Sequence, residues 1–422
     1  MMTVAERLGA RAESMLAALG AISDDEGRLT RLYLSDAHRR AIALVEGWMK
    51  QAGFITSIDA AATVHGLRPA ACGGPRVGQR LLVGSHIDTV VDAGRYDGTL
   101  GVVAGILAAE ELSRRGVALP FALEVLAFGD EEGVRFPRTL TSSLAIAGGF
   151  DPAALDAADR DGVTLRAALA GFGRDPDRVA AIAYRPQDVI GYIEVHIEQG
   201  PVLDKAGEAL AVVSAIAAQS RHRVLVTGEA GHAGTVPMGL RRDALAAAAE
   251  MVLAVETVAL KGADGLVATV GDLVVRPGAI NVVPGAVEFS LDIRAASDDV
   301  RSDAAAAIAG RLEAIAKRRR VRVETTTVHA EPVAPAAPKL RDTLARAITK
   351  VADKSPRTLM SGAGHDAQAM IRLTDIGMIF VRCKNGISHN PLEHAAPSDM
   401  GLAVAALVEA IAAIAREKLA GQ

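Results

Sequence analysis

A mixed, mostly parallel α/β sheet flanked by helices, interrupted by a smaller α+β domain, is the fold class this chain predicts. Three observations carry it. Apolar runs and helix-period stretches alternate in strand, helix, strand order through the first half. The texture changes after about residue 212 to strand, helix, two strands, helix, strand, the split βαβ or ferredoxin-like pattern. The 422 residues also allow two to three domains at roughly 150 residues each.

The first ~60 residues read as helices: apolar residues recur at three- and four-residue steps through Ala41, Leu44, Val45 and Trp48, and Gly53 follows as a stop. Leu81-Leu82-Val83 reads as a strand ending in Gly84. A helix is expected from about Leu100 to Arg115, with Gly116 beyond it, and Phe121 to Phe128 is a second apolar run. In such sheets function gathers past the C-terminal ends of the strands. Further on, Arg223–Thr227 suggests a strand, Arg242–Val258 an Ala-rich helix and Gly265–Val275 strands. Val287–Ile293 alternates strictly, Val300–Arg318 is helical again, and Val321–Thr327 closes the series. The Pro-rich stretch Glu331–Pro338 reads as a linker back. The expected organisation is residues 1–212 and 333–422 as one domain interrupted by an insert at 213–332.

Half of the residues are apolar and 23% are charged, which excludes disorder and collagen-like fibre. The 46 Lys and Arg against 50 Asp and Glu leave a net charge of −4, no footprint for nucleic acid or an anionic membrane. Cys72 and Cys383 make neither a disulfide framework nor a Cys-type zinc site and are expected as plain buried thiols. The N-terminal segment mixes Glu6 and Glu13 with Arg7 and Arg11 and lacks a signal-peptide apolar run. No 18-residue stretch reads as a charge-free span, and the tract from Gly401 reads as a buried helix. The expectation is a cytoplasmic protein with no nucleic-acid or membrane partner.

Metal-type side chains follow the apolar runs repeatedly. They stand in Gly84-Ser85-His86-Ile87-Asp88-Thr89, in Arg95-Tyr96-Asp97-Gly98 and in Gly129-Asp130-Glu131-Glu132-Gly133. Two more sets are Tyr192 to Gly200, which holds His196 and Gln199, and Ile387-Ser388-His389-Asn390-Pro391. A lone His or Asp after a strand is usually a turn residue or cap. Five such sites at strand ends are what one or two divalent cations need. Two close cations need a bridging carboxylate, for which Asp97 is the candidate, with His86, Glu132, His196 and His389 as terminal ligands. Glu131 is then free as general base for the attacking water. Asp88 is expected to hold the other ring nitrogen of His86.

These motifs, GSHIDT, Asp97-Gly98 eleven residues beyond His86, DEEG, HIEQG and GISHNP, resemble the M20-type dinuclear metallohydrolases, over about Leu81 to Pro397. More narrowly, the chain is similar to the amidase and carbamoylase branch: N-carbamoyl-L-amino acid hydrolases, β-ureidopropionases and allantoate amidohydrolases. His196, where peptidases of the wider family typically have Asp, and the string Glu-Gly-Val-Arg-Phe after Glu131 carry that narrower likeness. The resemblance implies a metal-dependent exopeptidase type of fold and a homodimer through the insert. It implies His86, Asp97, Glu132, His196 and His389 as metal ligands and Glu131 as base. It also implies substrate roles for Gln199, His232, Asn281, Arg294 and Gly364, with His232 as oxyanion donor and Arg294 as a fork for a carboxylate. Without it, His232 and Asn281 read as turn residues and Arg294 as an even choice between fork and solvent-facing side chain.

The chain departs from the branch at Ala61-Ala62-Thr63, where a Gly-Asn pair is common, at Ala218 before Gln219, and at Gly231 before His232. The implied reaction is hydrolysis of an N-carbamoyl-L-amino acid or a related ureido acid such as allantoate, releasing carbon dioxide and ammonia. It implies two divalent metals per subunit, zinc first and manganese, cobalt or nickel as alternatives. A di-metal aminoacylase or dipeptidase is the competing activity. A non-catalytic relative would be expected to have lost a ligand or the base, and all six positions are present.

Overall fold

The computed structural model describes residues 2–71 and 78–420, so Cys72 lies outside the described residues. The chain divides into two compact units. One comprises Met1–Ser214, Pro335–Leu359 and Ala363–Gln422; the other comprises Ala215–Ala334 and Met360–Gly362.

The first unit is built on a mixed sheet with a parallel centre, as expected. Arg80–His86 lies between Ala122–Phe128 and Val189–Ile197, parallel to both, and Ile376–Val381 runs parallel to Val189–Ile197 on its other side. Each central strand reads as a near-continuous apolar run, because strands covered on both faces have no solvent side to alternate towards. The helix Thr99–Arg114 covers the sheet and is apolar nearly all round. A Cβ at Gly101 would lie 2.4 Å from the Val195 carbonyl oxygen, so the helix seats on the strands only because this residue is glycine. The C-terminal helix is long and apolar enough to cross a membrane by length and composition only when charges such as Glu409 are tolerated, and it is mostly buried inside the protein, as the reading of the tract from Gly401 expects. Met400, Val404, Leu407 and Ile411 on it are fully buried inside the unit, which accounts for the composition. Cys383 is a buried free thiol.

Three elements differ from the sequence reading. Ile55–Ile58 is a strand rather than helix, paired antiparallel with Val64–Arg68. Gly53, in left-handed backbone at φ 79°, ends the helix before it, and the two β-branched isoleucines favour extended chain. The Pro-rich stretch carries a short strand, Ala334–Pro335, and Pro338 opens the helix Pro338–Ala352, where a missing N–H is harmless. Residues between Thr141 and Asp188 form short helices that the periodicity did not reveal.

The second unit is an antiparallel sheet with two helices on it. Ala286–Ala295 pairs with Ala218–Thr227, with Leu273–Arg276 and with Val267–Thr269, and Arg322–Glu331 borders Ala218–Thr227. The alternation of Val287, Phe289, Leu291 and Ile293 is real: these four are buried under the helices Ala244–Lys261 and Asp298–Arg319. A separate two-stranded pair joins Gly231–His232 to Val282–Val283.

One buried charge cluster on the first sheet has a measurable signature. His65 touches Glu124 through Nδ1 and Asp59 through Nε2, each at 2.9 Å. Burial opposes its charge, but the two carboxylates outweigh it and raise its pKa from 6.5 to about 9. A group raised on folding stabilises fully below its unfolded pKa and loses that contribution as pH climbs through the folded one. Unfolding free energy should therefore fall from pH 7 to pH 10 more steeply in the wild type than in His65→Gln. Equal slopes in urea titrations would remove the protonated imidazole from the account.

Candidate metal centre

Asp97 sits in the turn that feeds the helix Thr99–Arg114, and its carboxylate is almost fully buried. Oδ1 faces His86 Nε2 at 3.5 Å and His196 Nε2 at 3.1 Å. Oδ2 faces His389 Nε2 at 3.4 Å, which in turn lies 3.6 Å from Glu132 Oε2. The two oxygens therefore look at two separate donor sets: His86 and His196 on one side, Glu132 and His389 on the other. His86 closes its strand, His196 lies one residue from the end of the neighbouring parallel strand, and Glu131 and Glu132 follow Ala122–Phe128. Parallel register brings these three C-terminal ends together, and Asp97 and His389 arrive on loops. Gly98 makes the approach possible: it is left-handed at φ 65°, and a Cβ on it would lie 2.3 Å from His86 Nε2.

The donor set fits divalent cations. Within each of the groups His86, Asp97, His196; Asp97, Glu132, His389; and His86, Glu131, Glu132, the ligand atoms lie within 4.8 Å of one another. Backbone carbonyls settle the tautomers, since a carbonyl can only accept. His86 Nδ1 donates to Asp88 O at 3.1 Å and His196 Nδ1 donates to Ile197 O at 2.9 Å, which leaves the lone pair of each ring on Nε2; that of His196 accepts from Gly98 N at 3.2 Å beside the cluster. Asp97 Oδ1 is buried with no hydrogen-bond partner, a costly state for a carboxylate oxygen unless a cation meets it.

The electrostatics agree. Burial works against the charge of Asp97, but His196, His389 and His86 hold its carboxyl well below the ordinary carboxylate range. Burial pushes Glu131 well above that range; His86 opposes the rise, and Glu132, Asp366 and Asp88 add to it. Burial and Asp97 raise Glu132 to about 7. Carboxylates this close and this buried need positive charge to remain ionised together. Three non-glycine residues here, Asp130, Gln199 and His389, hold left-handed backbone at φ 65°, 56° and 54°. Such strain persists where surrounding structure enforces it, and it clusters at functional sites.

Asp88 lies against His86 Nδ1 where expected and has a second task. Its carboxylate is 3.5 Å from His86 Nδ1, farther than its own backbone carbonyl. The two carboxylate oxygens accept from the backbone N–H groups of Glu131 and Glu132, each at 3.2 Å. Two donors on one turn compete better for a two-oxygen acceptor than a ring nitrogen already held by a carbonyl. Asp88 thus fixes the loop that presents the base.

Gln199 donates from Nε2 to Asp97 Oδ2 at 2.8 Å, which leaves its Oε1 buried without a partner. Gly364 lies beside the base: a Cβ on it would sit 3.8 Å from Glu131 Oε1. The remaining candidates belong to the second unit. His232 and Asn281 are exposed neighbours, joined where Ala233 N donates to Asn281 O at 2.9 Å. His232 Nδ1 accepts from Gly234 N at 3.0 Å, so its ring hydrogen is on Nε2. Arg294 is half-buried at the end of its strand.

The motif spacing did not reveal Glu393. Its Oε1 accepts from the N–H groups of Tyr96 at 2.9 Å and Asp97 at 3.1 Å, and its Oε2 accepts from Ser388 at 3.1 Å. Ser388 Oγ is also 2.7 Å from Asp97 Oδ2, so its single hydrogen is shared between the two carboxylates, with the shorter contact to Asp97. Glu393 therefore ties the Asp97 turn to the His389 loop across almost three hundred residues. Its one sequence signal is its position four residues past His389, no more than any surface Glu offers. Glu393→Ala should strand two buried N–H donors and cost about 2 kcal/mol or more, while Glu393→Gln, which keeps an acceptor oxygen, should cost much less. Urea unfolding of the metal-free variants checks this, and equal losses would contradict the geometry.

Comparison with known proteins gives three kinds of match. The family model described as peptidase family M20/M25/M40 matches residues 82–413. An allantoate deiminase of Arabidopsis thaliana is 40% identical over 421 residues, covering 93% of this chain and 79% of that protein. An N-carbamoyl-L-amino acid amidohydrolase of Geobacillus stearothermophilus is 39% identical over 408 residues, covering 96% of this chain and 98% of that protein. The crystal structure of an amidase of the hydantoinase/carbamoylase family from Burkholderia multivorans superposes with a TM-score of 0.88 at 30% identity, covering 96% of this chain and 98% of that one.

Proposed function

We propose that this chain, which belongs to peptidase family M20/M25/M40, is an amidohydrolase that removes the carbamoyl group from a small ureido acid, an N-carbamoyl-L-amino acid or allantoate. The family is metal-dependent. One observation carries the reading: a single buried carboxylate, Asp97, presents its two oxygens to two separate His and carboxylate sets, with Glu131 beside them. Relatives that act on N-carbamoyl-L-amino acids and on allantoate match almost the whole chain and support the substrate class.

His86, Asp97 and His196 would hold one cation, and Asp97, Glu132 and His389 a second; zinc suits the donors best, and manganese, cobalt and nickel are the alternatives. Bound there, the cations polarise the ureido carbonyl and lower the pKa of the attacking water towards neutrality. Glu131 takes the proton from the water as it adds to the ureido carbon. It then returns the proton to the departing nitrogen, whose bond to that carbon breaks. The amine leaves, and the carbamate breaks down to carbon dioxide and ammonia. Gln199, with its Nε2 committed to Asp97, offers Oε1 as acceptor for the ureido NH2. His232, with its hydrogen on Nε2, serves as donor to the developing oxyanion. Arg294 and Asn281 serve the substrate carboxylate. Exposed Leu253 and Leu260 on the helix Ala244–Lys261 are apolar area that a homodimer through the second unit would cover.

Steady-state assays of metal-loaded protein against N-carbamoyl-L-amino acids and allantoate should find turnover of at least one. Cleavage of acyl-amino acids or dipeptides alone, with ureido acids untouched, would defeat the proposal. Glu131→Gln should lower kcat about 10²–10⁴-fold with metal content unchanged by elemental analysis; an undiminished rate would remove Glu131 from the role of base.

A further inference from the structure

Arg294 does not stand alone on its strand. Its Nε donates to Asp292 Oδ1 at 3.0 Å and its Nη2 to Asp292 Oδ2 at 3.1 Å, a two-point contact along one edge of the guanidinium. Its Nη1 donates to the Gly362 carbonyl at 2.6 Å. A guanidinium has five N–H donors. Three are used, and one N–H remains on each terminal nitrogen.

Asp292 is itself held. Gln219 Nε2 donates to its Oδ2 at 2.8 Å, and Arg221 Nε donates to the same oxygen at 3.2 Å. Sheet register makes this arrangement: Asp292 pairs across the strands with Arg221, and Arg294 with Gln219. Side chains at i and i+2 share a face, so Asp292, Arg294 and the two residues opposite them meet on one surface. Two arginines share one carboxylate, so the cluster keeps a net positive charge. Asp292 and Arg294 each retain more than a quarter of their side-chain exposure, and pairs this open add little to stability. The arrangement does fix direction. A free arginine side chain samples many rotamers, whereas this one is clamped along one edge and at one terminal nitrogen, with two donors left over.

We propose that Asp292, supported by Gln219, is a positioning residue that aims the remaining Arg294 donors at the carboxylate of the substrate, so that selection of an acid depends on Asp292 as well as on Arg294. This rests on the ureido-acid reading above.

The test compares an N-carbamoyl-L-amino acid that the wild-type holoenzyme turns over with its carboxamide, in wild type, Asp292→Ala, Asp292→Asn and Arg294→Lys. Asp292→Ala should raise KM for the acid about 10- to 100-fold with kcat nearly unchanged, and should leave the carboxamide parameters in place. Asp292→Asn, which keeps one acceptor oxygen and the side-chain shape, should fall between. In the Arg294→Lys background Asp292→Ala should bring no further loss of acid preference, since the two act as a unit. Equal losses on acid and carboxamide, or an unchanged preference in Asp292→Ala, overturn the proposal while wild-type turnover leaves the ureido-acid reading standing. A wild-type holoenzyme inert towards every ureido acid fails that reading and takes this proposal with it.

Discussion

A buried carboxylate with one oxygen facing two imidazoles and the other facing a third is the constraint around which the first unit is arranged. Asp97 has almost no access to solvent, and its Oδ1 has no hydrogen-bond donor. Leaving a charged oxygen in that state costs several kcal/mol unless positive charge is brought to it. The surrounding residues do not relieve Oδ1; they hold it in place. Gln199 and Ser388 both donate to Oδ2, and Glu393 fixes the backbone on which the side chain is mounted. The same economy appears at Gly98, where only the absence of a Cβ lets the Asp97 turn close over the His86 ring. An arrangement this restrained around an unmet oxygen makes sense as a preformed cation site, whose affinity benefits because little ordering remains to be done when the ion arrives.

The sheet explains why such residues can converge from distant parts of the chain. Parallel strands end at one edge, so a polar residue placed last on each strand automatically joins the others there. That is why His86, His196 and the Glu131-Glu132 pair were legible as a set: each follows an apolar run, and the run itself marks the strand. Asp97 and His389 were legible through motif spacing alone, since neither lies on a strand. The supporting residues were not. Glu393 acts through the backbone N–H groups of residues almost three hundred positions away, and nothing in its neighbours records that. Asp88 sits in the right motif beside His86 Nδ1, but its second task, accepting from the Glu131 and Glu132 N–H groups, left no mark in the spacing. Asp292 was visible only as a polar position on an alternating strand; its partnership with Gln219 and Arg221 depends on cross-strand register, whereas Arg294 shares its face two residues along.

Fold-level legibility divides along the same line. Long periodic elements such as Thr99–Arg114 and Ala286–Ala295 follow from burial pattern, which is local. The hairpin Ile55–Arg68 does not, because four residues give no period to count, and its pairing with Ala122–Phe128 through Val64–Arg68 is tertiary. The short helices between Thr141 and Asp188 are too brief for apolar periodicity to speak.

Proton placement on the histidines is set by the peptide groups beside them, within each unit separately. A metal ligand needs a lone pair on the nitrogen that faces the ion. The backbone makes opposite assignments at different histidines. At His86 and His196 a carbonyl accepts from Nδ1, which forces the lone pair onto Nε2. At His232 a backbone N–H donates to Nδ1, which forces the hydrogen onto Nε2. Three residues of one type thus receive two distinct chemical identities from the peptide groups beside them. The same logic reaches Gln199, whose amide nitrogen faces Asp97 and whose oxygen is thereby the acceptor left without a donor.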